Sequence, residues 1–205
     1  RLCNGGTFFA LVGADGSGKT TLCKDLVKWL QWKLDVNHIY FGIPKESSSY
    51  RIKKRPAVIF NSLAKRFYRL KFIKLGDLTK RMNQIFESLL WLSIAKLRKR
   101  NFEKSMKNSE KGIITIAERY PLKDFWSMET PMDGPRIKND HLGKTIRTKE
   151  RENYGKIDLP DRVFVLKVDI NELSKRKNDL GYTSHKQKED AINKLPKRSV
   201  YKFIN

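Results

Sequence analysis

The sequence predicts an α/β fold, a parallel sheet of about five strands flanked by helices. Three observations carry this. Short β-rich apolar runs alternate with helical patterns along the whole chain. The first run leads through a glycine-rich turn into an amphipathic helix. The length, 205 residues, and a composition 39% apolar and 32% charged suit one domain with a core of its own.

The first run is Thr7-Phe8-Phe9-Ala10-Leu11-Val12, which reads as a buried parallel strand. It enters Gly13-Ala14-Asp15-Gly16-Ser17-Gly18-Lys19-Thr20, which meets the phosphate-binding pattern GxxxxGK[ST] at every fixed position. Leu22, Leu26, Trp29, Leu30 and Leu34 then recur at helical spacing. Strand, glycine loop and helix are the context that gives the pattern its meaning. Gly13, Gly16 and Gly18 let the backbone turn tightly and approach an anion without a Cβ in the way. The loop amides and the helix N-terminus, with Ser17 and Thr21 beside them, then face phosphate. Lys19 is placed to reach the outer phosphates of a nucleoside triphosphate, and the Thr20 hydroxyl to ligate Mg²⁺. ATP and Mg²⁺ are therefore the expected cofactors.

Further along, Asn37–Gly42 predicts a second strand, closed by Gly42 and Pro44. From Arg51 to Arg81 there are eleven Lys/Arg and one acid, with Phe60, Leu63, Phe67 and Leu70 on one face, the pattern of a basic amphipathic helix. A second helix with a wide apolar arc is expected over about Met82–Arg100. Gly112–Ala117 predicts a strand that ends in Glu118-Arg119-Tyr120-Pro121. Irregular structure is expected at about Thr130–Thr145, around the turn Asp133-Gly134-Pro135. A short helix follows at Arg147–Gly155, a strand at Asp161–Val168, helices at Asn171–Lys177 and Lys186–Leu195, and a last strand at Val200–Ile204.

Composition narrows the partners. Lys and Arg number 44 against 22 Asp and Glu, a formal net charge of +22. Such a chain seeks anions. The two cysteines, Cys3 and Cys23, form no CxxC pair, and His38, His141 and His185 lack metal spacing, so a disulfide framework and a thiolate zinc site are not expected. The apolar runs are too short to span a bilayer. No signal peptide is visible, although the chain starts at Arg1, which leaves room for an upstream segment. A reduced, cytoplasmic setting is expected.

In an open parallel sheet, ligands bind beyond the carboxyl ends of the strands. Glu118 and Arg119 stand at such an end. An acid there can hold Mg²⁺, and an arginine can grip a second phosphate in bidentate fashion.

GADGSGKTT followed about a hundred residues later by ERYP resembles the thymidylate kinases and their relatives among the nucleoside-monophosphate kinases. The resemblance extends over essentially the whole chain. It is strongest to a bacterial thymidylate-kinase-like branch found beside surface-polysaccharide genes. In that branch the arginine motif precedes an MDGPR-type turn, here Met132–Arg136, a strand opened by a PD pair, here Pro160-Asp161, and an arginine–lysine pair, here Arg176-Lys177. The resemblance implies a P-loop NTPase fold and one kinase domain over 1–205, with a basic acceptor or cap region at about 51–111 and a lid at about 172–185. It implies transfer of the ATP γ-phosphoryl group to a phosphorylated acceptor, a nucleoside monophosphate such as dTMP. By the same resemblance Asp15 lies near the acceptor sugar, Arg119 holds the acceptor phosphate and Glu118 serves the metal. Lys175, Arg176 and Lys177 belong to the lid. The loop has Gly16 where an arginine could stand, so Arg176 is expected to supply the cation over the reacting group.

The chain departs from the family in two places. Glu118 stands where Asp is more frequent, and Phe41-Gly42-Ile43-Pro44-Lys45 replaces a threonine–arginine–glutamate–proline loop. Phe67, Tyr68, Trp91 and Arg98 are candidates for base contacts, with helix packing the competing role for Phe67 and Trp91. Two other readings stay open. One is a kinase for a hydroxyl of a sugar, lipid or other small molecule, with Asp15 as base. The other is a catalytically inactive nucleotide- or nucleic-acid-binding protein. The basic stretch 51–111, with eighteen Lys/Arg and four acids, reads first as a solvated face. An electrostatic funnel for nucleotides and a docking face for nucleic acid or an anionic membrane are the alternatives. A homodimer is a further option.

Overall fold

Five strands in the order β2-β3-β1-β4-β5 build one sheet, and every neighbouring pair is parallel. The computed structural model describes residues 2, 3, 5–125, 134–135, 144–169, 172, 182–196 and 198–204, with residues 182–185 described by their backbone alone. The strands are β1 (Phe8–Gly13), β2 (Val36–Tyr40), β3 (Ile114–Glu118), β4 (Arg162–Leu166) and β5 (Tyr201–Ile204). The helices are α1 (Lys19–Leu30), α2 (Ser48–Arg69), α3 (Ile73–Glu110), α4 (Lys144–Gly155) and α5 (Tyr182–Asn193). A 3-10 turn covers Lys123–Phe125.

The chain divides into two compact units. One holds Arg1–Gly42, Arg100–Pro135 and Ile157–Asn205, and the other Ile43–Lys99 and Arg136–Lys156. The first contains the sheet. Its central strand β1 is apolar throughout because both faces are covered. Phe9 and Leu11 face a cluster made with Cys23, Ile114, Ile116 and Leu166, onto which Leu22, Leu26 and Leu30 of α1 pack. Phe8 points to the opposite face, where its ring meets Tyr120 edge-on at 5.5 Å and Phe102 of α3 at 6.3 Å. Phe41 closes this group on Tyr120 at 4.9 Å. These rings pack around the residues that follow Glu118.

In the second unit Phe60 of α2 stacks on Phe86 of α3 at 5.3 Å. Arg98 is 1% exposed and donates to the Tyr154 hydroxyl at 2.6 Å, with Glu150 buried on the same helix as Tyr154.

Several element boundaries differ from expectation. The basic helix expected over 51–81 and its neighbour at about 82–100 are divided elsewhere: α2 ends at Arg69 and α3 runs unbroken for 38 residues from Ile73. The break falls at Lys71, a non-glycine residue with φ of 61°. Gly76 lies inside α3, where a Cβ would meet the Tyr68 ring at 2.8 Å. β2 stops at Tyr40, two residues early, although the Phe41 amide still donates to the Glu118 carbonyl at 2.9 Å. β4 ends at Leu166 and not at Val168. Of the helix expected at Asn171–Lys177 the structure describes Glu172, which is helical; most of the irregular segment expected at Thr130–Thr145 lies outside the described residues, and its last two residues, Lys144 and Thr145, open α4.

Candidate active site

The sheet delivers β1 into a turn that only small residues can make. A Cβ on Gly13 would lie 2.8 Å from the Leu166 carbonyl oxygen and 2.8 Å from the Ser17 hydroxyl. Gly16 and Gly18 hold φ of 90° and 83°, the left-handed region that favours glycine. Gly18 is the N-cap of α1, and no side chain caps this helix start. Its first turn carries no acid, so the orphan amides and the positive end of the dipole are offered to an anion without a competing carboxylate. Ser17 is buried, and Thr21 is exposed in the first turn.

Lys19 is 5% exposed. Its ammonium donates to the Ala14 carbonyl and, at 3.3 Å, to the Ser17 hydroxyl. The cation therefore curls over the loop that precedes it. Thr20 points the other way, and its Oγ1 donates to Glu118 Oε1 at 2.5 Å. Glu118 is 3% exposed at the end of β3, in register with Leu11 of β1 and Tyr40 of β2. Parallel pairing thus brings the expected metal residues together from opposite parts of the chain. A hydroxyl and a carboxylate in contact are hard oxygen donors and fit Mg²⁺.

A second donor set shares Glu118. Cys23 Sγ, a His38 ring nitrogen and a Glu118 oxygen lie within 4.8 Å of one another. Softer ions favour such a set. Burial, helped by the nearby Glu118 charge, pushes the Cys23 thiol up to about 12, so a cation bound there would have to displace a tightly held proton. The oxygen pair Thr20 and Glu118 asks for no such proton loss and suits a hard cation such as Mg²⁺.

Arg119 follows Glu118 with φ of 58°, a conformation that a bulky side chain adopts only when its surroundings enforce it. Its guanidinium donates to one oxygen of Asp15 in the glycine loop. Lys188 of α5 donates to the other oxygen at 2.5 Å. Burial pushes the Asp15 carboxyl up, but the hydrogen bond and charge of Lys188 and the charge of Arg119 outweigh it and hold the group well below the usual carboxylate range. One carboxylate therefore orders two cations at the loop. Tyr120 turns inward, and its hydroxyl donates to the Asp158 carbonyl.

The structure brings together Asp15, Lys19, Thr20, Glu118 and Arg119. Arg176, with Lys175 and Lys177, lies outside the described residues. Of the candidates for base contacts, Tyr68 donates to Asp77 at 2.6 Å, Phe67 and Trp91 are half-buried, and Arg98 is spent on Tyr154. Sequence reasoning missed Lys188 and His38. Nothing local distinguishes Lys188 within its lysine-rich helix. His38 had a signal, because its strand ends where β3 ends.

No family model matches the chain. It is 24% identical over 192 residues, 91% of its length and 75% of the relative's, to a protein of Escherichia coli K12 named uncharacterized ATP-binding protein YghR. It is 26% identical over 170 residues, 80% of this chain and 69% of the relative, to uncharacterized ATP-binding protein YghS of the same strain. Among solved structures it matches a thymidylate kinase from Candida albicans with a TM-score of 0.54 and 15% identity, covering 98% of this chain and 83% of that one. The fold is that of the P-loop NTPases. Gly13–Thr20 is the P-loop of that fold, and Glu118 and Arg119 occupy the end of the strand beside it.

Proposed function

We propose that this chain is an ATP-dependent phosphotransferase that moves the γ-phosphoryl group to an acceptor already carrying a phosphate, a nucleoside monophosphate such as dTMP. The observation that carries the reading is the pairing of Arg119, just after β3, with Asp15 of the P-loop, beside the Thr20–Glu118 contact. The P-loop amides and Lys19 hold the donor. Thr20 and Glu118 hold Mg²⁺, which when bound offsets charge on the donor phosphates. Arg119 and Lys188 offer cations to an incoming phosphate, with Asp15 orienting both until it arrives. The names of the E. coli relatives, both ATP-binding proteins, support ATP as donor. Use of 1–205 as one kinase domain, with 51–111 as cap and Arg176 in a lid at 172–185, belongs to the proposal, as do its bacterial polysaccharide-linked branch and a cytoplasmic setting.

The chemistry of Asp15 favours a phosphate acceptor over a hydroxyl. A hydroxyl must lose a proton, and Asp15 is the acid in the loop placed to take it. A carboxylate saturated by two cations, with its proton affinity lowered, is a poor base. A phosphate oxyanion needs no base.

The test is an ATP-consumption screen over monophosphates, sugars and polyols, with Lys19→Ala and Arg119→Ala beside the parent chain. Turnover with a monophosphate that both substitutions abolish is expected. Turnover with sugars or polyols alone would replace this reading by the hydroxyl kinase. ATP binding with no turnover on any acceptor would replace it by an inactive nucleotide-binding protein.

A further inference from the structure

The turn between α2 and α3 carries a surface to which none of Asp15, Lys19, Thr20, Glu118 and Arg119 belongs. Leu70, Phe72, Ile73, Leu75 and Leu78 fall within nine residues and are each between 46% and 65% exposed. Single exposed apolar side chains are ordinary on a soluble protein, but a run of large ones at one helical tip is not. Around them Lys65, Arg66, Arg69, Lys71, Lys74, Lys80 and Arg81 are all exposed, with Asp77 the one acid from 65 to 81.

This tip has a set shape. The Tyr68 hydroxyl donates to Asp77 at 2.6 Å, and its ring lies where a Cβ on Gly76 would come within 2.8 Å. The Phe72 amide donates to the Phe67 carbonyl at 3.0 Å and the Gly76 amide to the Phe72 carbonyl at 2.9 Å. Lys71 takes the left-handed conformation that closes the turn. The apolar side chains are therefore held outward by a built turn, and docking them costs little further ordering.

We propose that the α2–α3 tip docks on an anionic lipid surface, with Phe72, Ile73 and Leu75 entering the headgroup–acyl boundary and the surrounding Lys and Arg meeting lipid phosphates. Charge complementarity selects this occupant. A second copy of the chain would bring the same cations and a net charge of +22 against it. Nucleic acid would satisfy the cations but leave the aliphatic side chains with little to gain, since bases stack on aromatic rings and Phe72 is the one aromatic residue among the five. A lipid surface satisfies both. No described helix is long and apolar enough to cross a membrane, so the mode is interfacial.

The experiment is co-sedimentation of the full chain with vesicles of phosphatidylcholine alone and of phosphatidylcholine with phosphatidylglycerol, at low and high salt. Duplex DNA binding and oligomeric state are measured in parallel. Binding to the phosphatidylglycerol vesicles only, weakened by salt, is expected. The triple variant Phe72→Ser, Ile73→Ser, Leu75→Ser should lower that partition at least about tenfold, with an unchanged thermal melt because all three are exposed. Lys71→Glu with Lys74→Glu should lower it by a similar factor. Absence of binding to anionic vesicles overturns the proposal. So does a folded triple variant that binds as the parent does, or one that loses DNA binding or dissociates a dimer while vesicle binding stands.

Discussion

Thr20 and Glu118, 98 positions apart in sequence, meet through a hydrogen bond of 2.5 Å from hydroxyl to carboxylate. One residue begins α1 and the other ends β3, so the contact exists because β1 and β3 lie side by side and parallel. It places the two hard oxygen donors of the site against each other at the point where the P-loop opens.

Glu118→Gln keeps the shape of this pair and removes its charge. Turnover should fall about a hundredfold or more, with the Mg²⁺ concentration for half-maximal rate raised, while the fold is retained. A magnesium titration of the steady-state rate checks this. A variant with parental rate and parental magnesium dependence contradicts the assignment.

Asp15→Asn should cost about 1–2 kcal/mol of stability, because Arg119 and Lys188 lose the charge they share. The folded carboxyl is more acidic than the unfolded one. Its contribution is therefore present above the unfolded value of about 4 and is lost as pH falls further below it. Melts of parent and variant should differ by a constant amount near neutrality and converge in acid. Phosphoryl transfer to a monophosphate should persist in the variant, whereas a hydroxyl kinase relying on Asp15 as base would lose its activity.

The two thiols should differ sharply. Cys3 is exposed, and Cys23 is on the buried face of α1 with its thiol pushed up to about 12. A disulfide reagent at neutral pH should titrate Cys3 rapidly in the folded protein and Cys23 only after denaturation. Fast reaction of both would contradict the packing of α1.

Tyr120→Phe should destabilise the fold by about 1 kcal/mol, because the buried Tyr120 ring loses its one hydroxyl hydrogen bond, to the carbonyl of the exposed Asp158. The ring contacts with Phe8 and Phe41 survive this change. Chemical denaturation reads the loss.

Much of this was legible in the residues. The P-loop has a fixed local grammar, and the strand after it is apolar enough to be read at once, so the donor side and the sheet followed. The place of Glu118 and Arg119, at the end of a strand beside the P-loop, was readable from the short apolar run that precedes them. The helical boundaries were harder. The expected boundary at about 81–82 lies inside α3, while Lys71, which makes the turn, carries no local mark of a left-handed residue. Lys188 was invisible for another reason: its partner is 173 positions away, and one lysine in a chain this basic looks like any other.

Equilibrium titration of ATP against the parent chain and Lys19→Ala, with and without Mg²⁺, tests the central claim most directly. The account predicts saturable binding that magnesium strengthens and that Lys19→Ala weakens at least about tenfold, since the loop cation is the one held over the phosphate cradle. Equal affinity in the two proteins, or no binding by either, would contradict it.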